Sequence, residues 1–335
     1  MARVHLPGRG EGGTLSILEL NDTTAAALPR RSKHVHFHAS RSGALALSEA
    51  ADQPLVSIGM PVHNEARFID ASLLALRRQD YPHLEILVGD NASTDDTRAI
   101  CERHAAEDRR IRIERSETNI GAIGNFRRVL ERSQGTHFMW ASGHDLWSPN
   151  LVSACVAMLE ANPGACIAFP SSCWIGADDE ALPRASGWSD TRGMAAAARF
   201  FTILWGNMHP ILGLMRASQL RACAPMQDLT GADLVLLAEL ALRGDFVHAA
   251  DATWSRREFR TETRYEEKLA RYASDATRIA RSPMQRRFPL LQLPVALMRV
   301  VLRSGMPSLD KVAALLALTA ALPLRYRVGR RMEQR

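Results

Sequence analysis

From Pro54 onward the chain alternates short apolar runs with stretches whose apolar positions recur at helical spacing. Leu55 to Pro61 predicts a buried strand ended by proline. The segment after it, with Phe68, Leu73, Leu74 and Leu76 in helical register, predicts a helix stopped at Tyr81-Pro82. Glu85 to Val88 predicts a second strand, Asp95 to about Ala106 a helix, and Ile111 to Arg115 a third strand. Gly124 to Arg132 predicts another helix, closed by Gly135, and His137 to Ala141 a fourth strand. Strands and helices that alternate over so few residues predict an α/β fold with a mixed, mainly parallel sheet flanked by helices.

Beyond Pro149 the pattern continues less regularly. Leu151 to Glu160 is amphipathic, Ala165 to Pro170 strand-like, Ala177 to Gly187 a polar loop, and Arg192 to Leu204 helical. A short strand is expected at Ile211 to Met215, a helix at Leu234 to Arg243 and a strand at Asp245 to His248, and Ala252 to Phe259 carries Trp254, Arg256 and Arg257. The pattern divides the chain into a polar, weakly periodic tail (1–52), a catalytic domain (53–262) and a basic, apolar helical extension (263–335). In that extension Arg286 to Arg303 and Leu309 to Arg330 carry apolar runs too short to span a bilayer, flanked by basic residues. They suit peripheral membrane contact, packing on the catalytic domain, or a second subunit in a homodimer.

The 335 residues hold 42 Lys and Arg against 36 Asp and Glu, a formal net charge of +6. That excess is modest, and no Lys/Arg stripe is interleaved with aromatics, so no nucleic-acid partner is expected. It suits anionic ligands or an anionic membrane surface. Five scattered cysteines without CxxC spacing argue against zinc and disulfides, and for a reducing compartment. With no signal-like apolar region at the N-terminus, the expected location is cytoplasmic, at most peripheral on the inner face of the membrane.

The candidate chemistry lies where strands end. The run EILVGDNASTDDT (Glu85 to Thr97) ends a strand on Asp90, and a second lone aspartate, Asp145, follows the fourth strand in Ser142-Gly143-His144-Asp145. Open α/β sheets bind ligands along this edge, although Asp90 to Asp96 could equally serve only to cap the following helix. Asp233 heads the helix from Leu234 and is open to the same alternative of capping. His34, His36 and His38 alternate in the tail, without a partner nearby that would suggest metal.

The block VSIGMPVHNEARFIDASLLALRRQDYPHLEILVGDNASTDDT, then NIGAIGNF, then a strand with an aspartate loop and proline, resembles the family 2 glycosyltransferases of GT-A fold. The similarity runs from about Leu55 to Pro149 and more weakly to about Arg260. It implies an inverting enzyme that moves a hexosyl group from a nucleotide diphosphate donor, a UDP-sugar above all, to a hydroxyl of a glycan or lipid-linked acceptor in envelope or polysaccharide synthesis. It also implies that Pro61, Val62, Asn64 and Glu65 border the nucleotide, that Asp90 with Asn91 and Ser93 meets the base, and that Asn119, Gly121 and Asn125 lie beside it. Asp145 matches the last aspartate of the family's metal motif, and His144 stands where acidic residues are usual, so Asp145 and His144 would hold Mg²⁺ or Mn²⁺ with the donor's phosphates. Asp233 matches the catalytic base, which takes the acceptor proton. Arg256 and Arg257, after Trp254, could clamp the diphosphate or form a solvated face. Gly206 to Pro210 would shape the acceptor side. The lost acidic residues leave an alternative reading, a catalytically degenerate nucleotide-sugar-binding or scaffold subunit. A Rossmann dehydrogenase is disfavoured because no GxGxxG follows the first strand.

Overall fold

The computed structural model describes residues 53–184, 186–187, 190–206, 210–229, 231–259 and 291–332, with side chains as far as Leu322. The tail, including its alternating histidines, lies outside the described residues, as do Asn207, Met208 and His209 of the expected acceptor loop.

The sheet grows from β1 (Val56–Val62), whose sequence VSIGMPV is buried at every position but Pro61. Burial on both faces is why this strand reads as an apolar run and not as an alternation. It pairs in parallel with β2 (Leu84–Asp90) on one side and β4 (His137–Trp140) on the other, and β3 (Ile111–Arg115) adds in parallel to β2. The crossovers carry helices α1 (Ile69–Arg77), α2 (Thr97–Glu107) and α3 (Ala122–Glu131).

The later strands break the parallel pattern. They are β5 (Leu146–Trp147), β6 (Ala165–Ile175), β7 (Ala181–Leu182), β8 (Leu214–Arg216) and β9 (Asp245–Arg257). The strand order is β3-β2-β1-β4-β8-β6-β9-β5, with β7 paired to β6. β8 runs antiparallel to both β4 and β6, whereas β6 and β9 pair in parallel. Chain order reverses between β1 and β4, which opens a crevice at the carboxyl ends of these strands. Asp90, the last residue of β2, stands level with Val62 at that edge.

Several elements differ from the periodicity reading. The strand expected at Asp245 to His248 continues to Arg257 as one long strand, β9, whose register against β6 shifts between Pro170 and Ser171. Such a shift bends the ladder without ending it. The expected strand at Ile211 to Met215 is a 3₁₀ turn, Pro210–Leu212, followed by β8. The short β5 and β7 fall in stretches expected to be loops, because two-residue strands carry no periodicity.

Helices α4 (Leu151–Ala161), α5 (Ala196–Trp205), α6 (Ala217–Arg221) and α7 (Ala232–Arg243) complete the layers around the sheet. After the undescribed stretch, α8 (Gln292–Arg303) and α9 (Ser308–Met332) follow. Their apolar side chains Leu297, Val301, Ala314 and Leu318 form a second small core with Phe200 and Leu204 of α5 and Ala238 of α7. Packing on the catalytic domain, one of the options for this extension, is what the inward faces of these helices do.

Candidate active site

The crevice is built by two segments that tie each other's backbones down. After β1 the chain turns through Asn64, whose φ of 54° is in the left-handed region that asparagine tolerates. The Asn64 carboxamide oxygen accepts from the Thr94 backbone N–H at 2.8 Å, and the Asn64 N–H donates to the Ser93 hydroxyl at 3.0 Å. The Glu65 N–H donates to the Thr97 hydroxyl at 2.8 Å and the Ala66 N–H to an Asp95 carboxylate oxygen at 3.1 Å. The polar turn therefore does more than start α2. Its Ser, Thr and Asp side chains fix the neighbouring loop, which satisfies backbone donors that helix geometry leaves open. No side chain caps α2 at its N-cap residue, Asp96.

Asp90 sits at the bottom of this arrangement, fully buried. One carboxylate oxygen accepts from the Ser93 N–H at 3.0 Å. The other, Oδ2, is buried without any hydrogen-bond donor, with the Arg115 guanidinium 3.7 Å away. A buried acceptor left open costs free energy unless a partner arrives, so this atom marks a place for a donor from outside the chain. The Ser142 hydroxyl, just past β4, is a second buried group without a partner.

Asn91, Asn119, Gly121 and Asn125 hold the floor in shape. The Asn91 amide donates to Asn119 Oδ1 at 2.8 Å and to the Gly121 carbonyl at 3.3 Å, and its own carbonyl accepts from the Ile120 N–H at 2.9 Å. Gly121 takes φ 80° at the start of α3, a conformation that suits a residue without Cβ. Asn125 is buried and donates to the Gly89 carbonyl at 2.6 Å, while Arg128 bonds its side-chain oxygen and the Asp90 and Glu114 carbonyls. A Cβ on Gly89 would lie 2.7 Å from Asn125 Oδ1, so α3 sits against β2 only because that position is glycine. Arg128 was not singled out in the sequence, where it is one arginine among several on an amphipathic helix.

On the other side, Asp145 is held from the far end of the chain. The Trp254 indole N–H donates to its Oδ2 at 2.9 Å and the Arg257 backbone N–H to its Oδ1 at 2.9 Å. Each oxygen thus keeps one lone-pair direction for a further partner. His144 Nδ1 lies 3.2 Å from both oxygens of Glu65, and its Nε2 is 4.0 Å from Asp145 Oδ1. An ionised carboxylate only accepts, so Nδ1 carries a proton and Nε2 is the nitrogen left facing Asp145.

Among the described residues no three of His, Cys, Asp and Glu converge as a metal cage. The chain does offer two groups, Asp145 and a His144 whose other nitrogen is braced by Glu65, the orientation found in metal-ligating histidines. That pair fits a divalent ion whose remaining ligands come from phosphate and water. The imidazole tilts the preference toward Mn²⁺.

The two arginines of β9 part company. Arg257, with 2% of its side chain exposed, donates to the carbonyls of His144, Gly176 and Ala177 and, at 2.5 Å, to Asp179. Its guanidinium is committed to the chain's own loops, with four of its five N–H donors engaged there. Arg256 is half-buried, with its guanidinium 4.0 Å from the centre of the Trp174 ring and 4.8 Å from that of Trp254. Arg184 lies over Trp174 as well, at 4.0 Å. Among the described residues Arg256 has cation–π contacts but no hydrogen bond or ion pair. Burial holds its pKa below the ordinary arginine value, countered by the charges of Asp145 and, more weakly, Asp233.

Asp233 is exposed in the first turn of α7. The capping alternative does not describe it, since the N-cap is Gly231 in a left-handed conformation with φ 87°. Asp233 contributes weakly to the field at Arg256, after Asp145 and Glu258.

The comparisons agree with this geometry. Residues 57–217 match the model of glycosyl transferase family 2. TuaG of Bacillus subtilis, named for a role as a teichuronic acid biosynthesis glycosyltransferase, is 34% identical over 95 residues, 28% of this chain and 38% of that protein. The Escherichia coli protein WfgD, named as a UDP-Glc:alpha-D-GlcNAc-diphosphoundecaprenol beta-1,3-glucosyltransferase, is 32% identical over 111 residues, 33% of this chain and 43% of that one. The chain thus matches less than half the length of either relative. Among solved structures, S. aureus TarS 1–349 in complex with UDP-GlcNAc superposes with a TM-score of 0.59 at 14% identity, covering 79% of this chain and 71% of that one. A mannosyltransferase from Pyrobaculum calidifontis, in complex with GDP-Man and Mn²⁺, gives 0.50 at 20% identity over 85% of each chain. Residues 57–217 thus match glycosyl transferase family 2, and the chain is built on the GT-A glycosyltransferase fold.

Proposed function

We propose that the protein is an inverting glycosyltransferase that uses a UDP-sugar and glycosylates a hydroxyl of a glycan or lipid-linked acceptor in cell-envelope polysaccharide synthesis. The observation that carries the donor site is Asp90 Oδ2, a buried acceptor without a donor at the carboxyl edge of the sheet. The imide N–H of uracil is a donor of the right kind, and the exposed side of Arg115 lets that guanidinium swing aside to admit it. Pro61, Val62, Asn64 and Glu65 wall the base and ribose, and Ser93, Asn91, Asn119, Gly121 and Asn125 keep the wall rigid.

The diphosphate would lie between His144–Asp145 and Arg256. A divalent ion held by Asp145 and His144 would offset the phosphate charge. Among the described residues Arg256 forms no ion pair, and it has shed much of its water against two indole rings, so its charge acts strongly on the leaving phosphate. The acceptor oxygen attacks the anomeric carbon from the side opposite the diphosphate. Its proton passes to the Asp233 carboxylate, the anomeric carbon–oxygen bond breaks, and the bonding pair leaves on the phosphate. Attack from the opposite face inverts the configuration.

Calorimetric titration with UDP and with GDP, each with Mn²⁺ and with EDTA, tests this reading. Expected are UDP binding that exceeds GDP binding, weakens in EDTA, and falls at least about tenfold in Asp90→Ala, which removes a charged acceptor worth about 1.5–3 kcal/mol. Absence of binding to either nucleotide would overturn it in favour of a scaffold role.

A further inference from the structure

The helix α9 is apolar on two opposite faces. Inward, Ala314, Leu318 and Leu322 enter the small core shared with α5, α7 and α8. Outward, Leu309, Val312, Ala313, Leu316, Ala317 and Ala320 recur at i, i+3, i+4, i+7, i+8 and i+11, all of them exposed. Leu309 is 84% exposed, Leu316 67% and Val312 55%. A helix apolar all round normally has something against both sides. A contiguous exposed apolar face of this kind marks a surface that meets a partner or a membrane.

The charges beside the face decide between those occupants. On α8 the exposed positions Val295, Arg299, Leu302 and Arg303 alternate apolar and basic side chains. The Lys311 ammonium bonds the Leu302 carbonyl at 3.1 Å, where the two helices meet. The sequence of α9 then continues into arginines at 325, 327, 330 and 331, within a helix that runs to Met332. The only carboxylate on the described part of α9 is Asp310. A second copy would bring the same positive charge to the contact and be repelled, whereas anionic headgroups are complementary to it. The described helices include none long and apolar enough to cross a membrane.

We infer that the outward face of α9, with the Arg299–Leu302–Arg303 edge of α8, is a docking surface for an anionic lipid bilayer. The face lies flat in the interface, with Leu309, Val312 and Leu316 entering the acyl boundary and Arg299, Arg303 and Lys311 at the headgroups. The inference does not depend on the donor or the reaction.

Co-sedimentation of the full chain with vesicles tests it, using phosphatidylcholine alone and phosphatidylcholine mixed with phosphatidylglycerol. Expected is strong binding to the anionic vesicles, weaker binding to the neutral ones, and release by salt. The triple variant Leu309→Ser, Val312→Ser, Leu316→Ser should lose about tenfold or more in vesicle affinity, with UDP binding and melting temperature unchanged because all three side chains are exposed. No binding to either vesicle, or binding unaltered in the triple variant, overturns the inference. So does light scattering that shows a dimer converted to a monomer by these changes, which would make the face a subunit contact.

Discussion

The two ends of the crevice are built in opposite ways. At the Asp90 end, Asn64, Ser93, Thr97, Asn91 and Asn125 each bond a backbone group, and the groups they bond lie within one run of chain from Val62 to Gly121. At the opposite end, Asp233 is exposed, and among the described residues Arg256 is held only by the faces of two rings. Rigidity is concentrated where a constant nucleotide would sit, and open chemistry where the acceptor must enter. In such a site a substitution at the first end should act on stability and binding together. One at the second should change the rate and leave the fold alone.

The largest expected effect tests that division. Asp233→Asn should lower the rate of transfer by about 10²–10⁴-fold, the usual value of a general base, with UDP affinity unchanged. Exposed positions such as this one shift stability by at most about 0.5 kcal/mol. A variant that melts early or loses UDP would place Asp233 in the rigid part of the site and erase the contrast.

Next come the adjacent arginines of β9. Arg257→Ala removes a nearly enclosed guanidinium and leaves the His144 and Gly176 carbonyls without donors, so stability should fall by about 3 kcal/mol. Arg256→Ala should leave the melting temperature nearly unchanged but weaken UDP binding by about tenfold, with a smaller dependence on salt. Differential scanning calorimetry and titration of the two variants separate the roles, and interchanged results would reverse the assignment.

The smallest effect concerns thiols. Burial pushes the Cys101, Cys155, Cys166 and Cys223 thiols up to about 12, whereas Cys173 is exposed. Native titration with a thiol-specific disulfide reagent should label one cysteine quickly and four only on unfolding. Fast labelling of a second thiol would show that the core opens more readily than its packing implies.

The same contrast explains what the sequence could show. β1 to β4 and Asp90 were legible because apolar runs, breakers and polar turns lie within one short stretch whose spacing encodes their contacts. Asp145 could be named from its loop, but its partners could not. The Trp254 indole is 109 residues away and the Arg257 amide 112, and no local pattern encodes either bond. Likewise, two consecutive arginines look alike in sequence. Strand alternation sends one onto the rings and the other into the loop at Gly176. The His144–Glu65 contact was missed as a pair for the same reason, because its members are 79 residues apart.

The long parallel pairing of β9 with β6 also sets an order of events during synthesis. The strands β1 to β4, with α1 to α3, have their parallel partners within residues 56–140, so that part of the sheet can form once residue 140 is clear of the ribosome and before β8 adds to β4. Asp145 emerges soon afterwards but stays unanchored until β9 has been made more than a hundred residues later. A nascent chain can therefore hold a formed Asp90 edge well before its second aspartate is in place, so under the proposed function the means to hold a nucleotide would precede the means to act on it.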